Sequence, residues 1–95
     1  MTDVIWGDVV KVIDGDTFDI KVTHVSRGNQ YEYKDHERIR IEEIDAPELP
    51  SPAGKRAKQD LEHAIIGKFV RCDIRTRDTY RRLICKGLMI QKMRI

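Results

Sequence analysis

Residues 51–67 read SPAGKRAKQDLEHAIIG, and the period of their apolar side chains decides the fold. Ala53, Ala57, Leu61, Ala64 and Ile65 recur at helical spacing, which lays a narrow apolar stripe along one side of a helix. Ser51 suits the N-cap, Pro52 the first helical position, and Gly67 the stop. On both sides the period falls to two. Upstream, VIWGDVVKVI (4–13) is β-branched and ends at DGD. TFDIKVT (17–23) alternates Phe18, Ile20 and Val22 with polar residues, and RIRIEEI (38–44) alternates until Glu42-Glu43, a bulge or a strand end. Downstream, KFVRCDIR (68–75) and RRLICKGLM (81–89) flank the turn TRDTY. Residues 23–37, THVSRGNQYEYKDHE, are polar and read as a long loop or extended hairpin tip.

Three strands, a helix and two strands predict a mainly β chain with one helix (α+β). The order suits a five-stranded OB-fold barrel with its helix between strands 3 and 4 better than a doubly wound sheet. Ninety-five residues are expected to form a single domain over 1–95, near the lower limit for an adequate core. No apolar run approaches membrane-spanning length, and MTDVIWGD lacks the basic and apolar regions of a secretion signal, so a cytoplasmic location is expected. Cys72 and Cys85 are too few for a disulfide scaffold and lack zinc-site spacing, so they read as partly buried thiols.

Charge is unevenly distributed. Residues 1–50 hold 6 Lys/Arg against 12 Asp/Glu, or −6, and residues 51–95 hold 12 against 4, or +8, which together give the net +2. Such halves are either plain solvated surface or a division of labour, with carboxylates for a cation and guanidinium groups for phosphate.

The turns carry the candidate chemistry. Asp14 and Asp16 flank Gly15, which by itself is ordinary hairpin chemistry, and the flanking sequence excludes an EF-hand. Asp45 and Glu48 bracket Ala46-Pro47, which alone passes for an ordinary loop. Together the two turns offer the hard oxygen ligands that Ca²⁺ or Mg²⁺ takes. Arg40 precedes Asp45 by five residues, and Arg81 and Arg82 follow Tyr80. Strand arginines are usually exposed ion-pair partners. Phosphodiester cleavage, however, needs a cation, planar guanidinium forks for the phosphate oxygens, and a carboxylate for water, and this chain has a candidate for each. Ser26 and Ser51 lack a nucleophile elbow, and His24, His36 and His63 share no ligand spacing. Trp6, Tyr31 and Tyr33 either stack on bases or simply pack.

The segments IDGDT, R-x-x-x-x-D-A-P-E (Arg40 to Glu48) and D-x-Y-x-R (Asp78 to Arg82) resemble, in order and spacing, the staphylococcal nuclease family over roughly residues 8–89. The resemblance implies an OB-fold nuclease that cleaves DNA or RNA, single strands preferred, with Ca²⁺ as cofactor. By position it implies that Asp16, Asp45 and the Ala46 carbonyl bind the metal, with Asp14 behind them. Glu48 matches the carboxylate that holds the attacking water. Arg40 and Arg82 match the phosphate-binding arginines, and Tyr80 lines the nucleotide site with Arg81 beside it.

Several features depart from the family pattern. Ala46 stands where a threonine is usual, the loop between strands two and three is long, and Arg81 replaces a glycine at a turn suited to positive φ. The family's later Gly-x-x-Val-Asn segment and C-terminal helices are not in this sequence, which makes a fragment of a larger nuclease one alternative; the resemblance implies another, a silent binding module, since the family includes domains that keep the barrel and lose the chemistry. Leu88, Met89, Ile90, Met93 and Ile95 then lack a covering segment, and self-association as a homodimer through them is an expectation.

Overall fold

Six elements follow one another in a computed structural model that describes residues 2–95. They are β1 (Asp3–Asp14), β2 (Thr17–Val25), β3 (His36–Ile41), α1 (Pro52–Ile65), β4 (Phe69–Arg77) and β5 (Leu83–Ile90). The strands close a barrel in the order β1-β2-β3-β5-β4. Its β3–β5 ladder is parallel, pairing Ile39 with Leu83, Arg40 with Ile84 and Ile41 with Cys85. This is the OB-type barrel that the order of periods predicts.

Closure rests on β1, which pairs β2 along one edge and β4 along the other. Register shifts at Trp6/Gly7, Val9/Lys11 and Val12/Asp14 coil it enough to serve both. Gly7 permits the close crossing, because a Cβ there would lie 2.3 Å from the Lys21 carbonyl oxygen. Inward residues of every strand, among them Ile5, Phe18, Ile20, Ile39, Ile74 and Leu83, form the core, and Ile65 of α1 joins them. Cys72 and Cys85 are free and wholly buried, deeper than the sequence suggests.

The helix begins as read: the Ser51 hydroxyl accepts from the Gly54 amide at 3.0 Å, Pro52 opens the first turn, and Gly67 follows the end at φ +72°. Its buried face differs from the expected stripe. Gly54 and Ile65 are buried and Ala57 and Leu61 half-buried, whereas Ala53 and Ala64 are exposed. An alanine methyl gains little from burial, so the larger Leu61 and Ile65 orient the helix and leave those two on its flanks. β3 ends at Ile41 without a bulge, in a turn where the Ile44 amide meets the Ile41 carbonyl at 3.4 Å. No helix is long and apolar enough to cross a membrane. At the far end Leu88 packs partly against the core, whereas Met89, Ile90, Met93 and Ile95 are exposed.

The long β2–β3 connection folds back onto the barrel. Asn29 accepts from the Val4 amide at 2.8 Å and donates to its carbonyl at 2.9 Å, imitating a paired strand residue. The buried carboxylate of Asp3 takes the Gln30 amide at 2.8 Å, the Tyr31 amide at 3.0 Å and the Tyr33 hydroxyl at 2.6 Å. Burial pushes the Asp3 pKa up, but these three donors outweigh it and hold it below the ordinary value of 3.8. Burial and the adjoining Asp3 raise that of Tyr33.

A carboxylate with a depressed folded pKa stabilises the fold above its unfolded pKa and loses that contribution as pH falls through the folded value. Asp3→Asn aims an amide N–H₂ at donors, which should cost about 1–3 kcal/mol at pH 7. Urea midpoints of the two proteins should therefore differ most at neutral pH and converge below the ordinary carboxylate pKa. A gap that stays constant down to pH 3 would show that the Asp3 charge is immaterial.

Candidate functional site

The first acidic turn is built around a buried charge. Asp16 is only 7% exposed, with Oδ1 accepting from the Thr17 hydroxyl at 2.8 Å and Oδ2 from the Ala46 amide at 3.2 Å. Arg40 Nη2 stands 3.5 Å from the same Oδ2, and the Asp16 carbonyl accepts the Ile41 amide at 2.8 Å. Asp14 supports the turn from behind, taking the Asp16 amide at 3.0 Å. Burial opposes ionisation of both acids. For Asp16 the contacts from Asp14, Thr17, Ala46 and Arg40 overcome it and lower the pKa, whereas for Asp14 burial and the neighbouring Asp16 raise it. Of the two acids, Asp16 is therefore the one whose ionised form the turn favours.

The second turn meets the first through Arg40. Asp45 Oδ1 lies 3.6 Å from Arg40 Nη2, while Nη1 donates to the Ile41 carbonyl at 3.0 Å. One guanidinium thus links two carboxylates 29 residues apart in sequence. Backbone fit holds the same junction: a Cβ on Gly15 would come 2.6 Å from that of Ala57 and 2.7 Å from that of Ala46. Gly54 lets the helix start pass under the 44–50 loop, since its Cβ would sit 2.4 Å from the Glu48 carbonyl oxygen. Ser51 returns its hydroxyl to that carbonyl at 2.6 Å. Glu48 itself is exposed, and among the described residues its carboxylate enters no ion pair.

Asp78 organises the β4–β5 turn. Its Oδ1 accepts the Arg82 amide at 2.8 Å and the Tyr80 amide at 2.9 Å, and its Oδ2 takes Arg82 Nε at 2.7 Å. Burial raises the Asp78 pKa, but the Arg82 side chain, with the Arg82 and Tyr80 amides, outweighs it and leaves it lowered. The Arg82 guanidinium lies 5.2 Å from the centroid of the exposed Tyr80 ring. Arg81 adopts φ +66°, the left-handed geometry in which glycine is at ease, so the sequence signal of a displaced glycine is met. Its carbonyl accepts Arg77 Nη1 at 2.9 Å.

The parallel β3–β5 ladder brings these parts together. Ile39 and Ile41 on β3, and Leu83 and Cys85 on β5, point inward, so Arg40 and Arg82 emerge on the outer side. Arg38, on the same side as Arg40, donates Nε and Nη2 to the Asp19 carboxylate at 2.8 and 3.1 Å. With Tyr80 and Arg82 it lines an open cavity of about 370 Å³. A neighbouring hollow is lined by Asp19, His36, Glu37, Arg38, Tyr80 and Arg81.

Sequence reasoning gave no role to Thr17, Arg38 or Asp78. The alternation of RIR and the four-residue step from Asp78 to Arg82 were the available signals for the last two. As a metal site the arrangement is sparse. Among the described residues no three His, Cys, Asp or Glu side chains gather, and Ala46 turns its amide hydrogen toward Asp16. Asp16 and Asp45 do converge on one guanidinium nitrogen, and two hard carboxylates aimed at one point suit a cation bound through few protein ligands.

The barrel is thus of OB type, with carboxylates and arginines gathered on one side of its β3–β5 ladder. No protein-family model matches the chain. It is 36% identical over 78 residues to protein ParB of Escherichia coli, covering 82% of this chain and 38% of that protein. It is 32% identical over 78 residues to a micrococcal nuclease of Shigella flexneri, covering 82% of this chain and 39% of that one. To a probable staphylococcal-like nuclease of Oryza sativa subsp. japonica it is 37% identical over 59 residues, 58% of this chain and 18% of that one. Over most of its length the chain is thus similar to nucleases of the staphylococcal type, and it spans less than two fifths of the length of these relatives.

The left-handed Arg81 costs stability that glycine would not, about 1–2 kcal/mol before glycine's greater unfolded-state freedom is set against it. Arg81→Gly should raise the urea unfolding free energy by about 0.5–1 kcal/mol, and Arg81→Ala, still strained, should not. Equal midpoints for the two variants would remove backbone strain as the explanation.

Proposed function

We propose that this barrel is the catalytic part of a calcium-dependent nuclease that hydrolyses phosphodiester bonds of DNA or RNA, with accessible single strands preferred. One observation carries the reading. Arg40 Nη2 sits 3.5 and 3.6 Å from Asp16 and Asp45, while Arg82, held by Asp78, emerges on the same outer face. Guanidinium forks bind the non-bridging oxygens of a phosphate and stabilise the charge that grows on them as water attacks.

In this reading Arg40 and Arg82 hold the phosphate, and Arg82 also assists the leaving oxygen. Glu48, on an exposed loop pinned at its carbonyl by Ser51, orients the attacking water and takes its proton. Asp16 and Asp45, with the Ala46 carbonyl, hold Ca²⁺, and Asp14 steadies the Asp16 turn. Bound calcium supplies positive charge beside the phosphate. Tyr80 and Arg81 border the substrate. A second reading, a module that binds nucleic acid without cutting it, draws support from the absence of a third acidic or histidine ligand among the described residues.

Digestion of single-stranded DNA separates the two readings. Cleavage with calcium, lost in EDTA and in Glu48→Gln while oligonucleotide binding persists, is the expected outcome. Arg40→Lys and Arg82→Lys keep the charge but lose the fork, and each should slow cleavage at least 10²-fold, about 2.7 kcal/mol. Near-normal turnover in both lysine variants would reduce these arginines to surface charge.

Calcium binding is tested separately. Calorimetry in the presence of a nucleoside bisphosphate should give a calcium isotherm that Asp16→Ala and Asp45→Ala abolish. Unchanged affinity in the double variant would eliminate these ligands.

A further inference from the structure

A cavity of about 250 Å³ lies apart from the paired carboxylates, and the proposed chemistry does not use it. Ile74 and Leu83, each 2% exposed, form its floor; Tyr31 and Tyr33 of the β2–β3 loop stand along it, and Thr76 and Arg77 complete the lining with Glu32. An apolar floor with aromatic side chains and a polar rim suits a planar ring.

The walls are preset. Asp3 grips the Gln30 and Tyr31 amides and the Tyr33 hydroxyl, and Asn29 pairs with Val4, so the loop that carries both rings is tied to β1 at four residues. A ligand therefore need not meet the cost of ordering that loop. Tyr33 has its hydroxyl committed and is half-buried, whereas Tyr31 is 58% exposed, which leaves the Tyr31 ring accessible for stacking.

The cavity also adjoins the phosphate-binding face. Arg77, on its rim, forks onto Glu37 at 3.0 and 3.1 Å and reaches the Arg81 carbonyl at 2.9 Å. Glu37 in turn lines the hollow shared with Arg38, Tyr80 and Arg81. Cavity and arginine face are thus two ends of one surface crossing the β4–β5 turn.

The geometry points to a base-binding subsite: a strand held by its phosphate at Arg40 and Arg82 places an unpaired neighbouring nucleobase in this cavity, stacked on Tyr31. The subsite rests on the nuclease reading for its direction along the strand, but not for its existence. A base can enter only when it is free of a partner, so the cavity supplies a physical cause for preferring single strands.

The test measures binding without cleavage. Fluorescence anisotropy in EDTA would follow a labelled single-stranded hexanucleotide and a series in which one base at a time is removed. Removal at one position should weaken binding to the wild type by about five- to a hundredfold, the range of a single base–aromatic stack. Tyr31→Ala should bind the intact strand that much more weakly and lose its sensitivity to that abasic position. Tyr31→Phe should behave as wild type, and melting curves of both variants should match it, since the side chain is exposed. Equal sensitivity at every position in wild type, the same profile in Tyr31→Ala, or no binding of the strand by wild type would each overturn the subsite. Cleavage is scored apart: a wild type that shows the abasic signature but never cuts with calcium keeps the subsite and loses the nuclease reading.

Discussion

The buried carboxylate of Asp16 is the contact on which this site depends. It joins three separate pieces of chain: β2 through Thr17, β3 through Arg40, and the 44–50 loop through Ala46. A charge in that position must be satisfied, because an unpaired buried ion costs several kcal/mol. The requirement is therefore directional. The chain folds so that an amide, a hydroxyl and a guanidinium converge on Asp16, and Asp45 is brought to the same guanidinium as a result. A partly desolvated guanidinium between two carboxylates has few alternative positions, so the site is organised before any ligand arrives.

Glycines make this convergence sterically possible. Gly15 brings one acidic turn against both Ala46 and Ala57, and Gly54 lets the helix start beneath the loop that bears Glu48. Ser51 then fastens the loop to the helix by accepting from one side and donating to the other. The helix thus does more than cover the barrel end. It is the floor on which the acidic loop rests, so the short side chains along its first two turns matter for the spacing of the site as well as for burial.

Period and capping made the barrel legible. The change from two-residue to helical spacing, the Ser51 and Gly67 signals and the break at Glu42-Glu43 all correspond to observed element boundaries. The exposure of Ala53 and Ala64 was not legible, since spacing alone cannot weigh a methyl against the leucine and isoleucine beside it. The acidic and basic residues of the motifs were readable, yet the acids that hold structure in place were not. Asp3 bonds residues 27 to 30 positions away and Glu37 meets Arg77 forty positions on. No local pattern encodes partners at that separation. Arg81 lies between these cases: a missing glycine is visible in the sequence, and the left-handed turn that tolerates its replacement is held by Asp78 and Arg77.

The uneven charge of the two halves finds its meaning in barrel closure. Ion pairs between the halves, Arg75 with Glu42, Arg77 with Glu37 and Arg94 with Asp8, neutralise part of each. The pairs inside each half behave differently. Arg40 remains with Asp16 and Asp45, and Arg82 with Asp78, so the two arginines are positioned by acids from their own half. The parallel β3–β5 ladder then sets the two half-built clusters side by side. An acidic partner fixes where a guanidinium points while leaving donors on its far side for a phosphate, because the group carries five N–H bonds and a carboxylate engages only one or two of them. Neutralisation across the halves therefore serves the fold, and neutralisation within them aims the arginines.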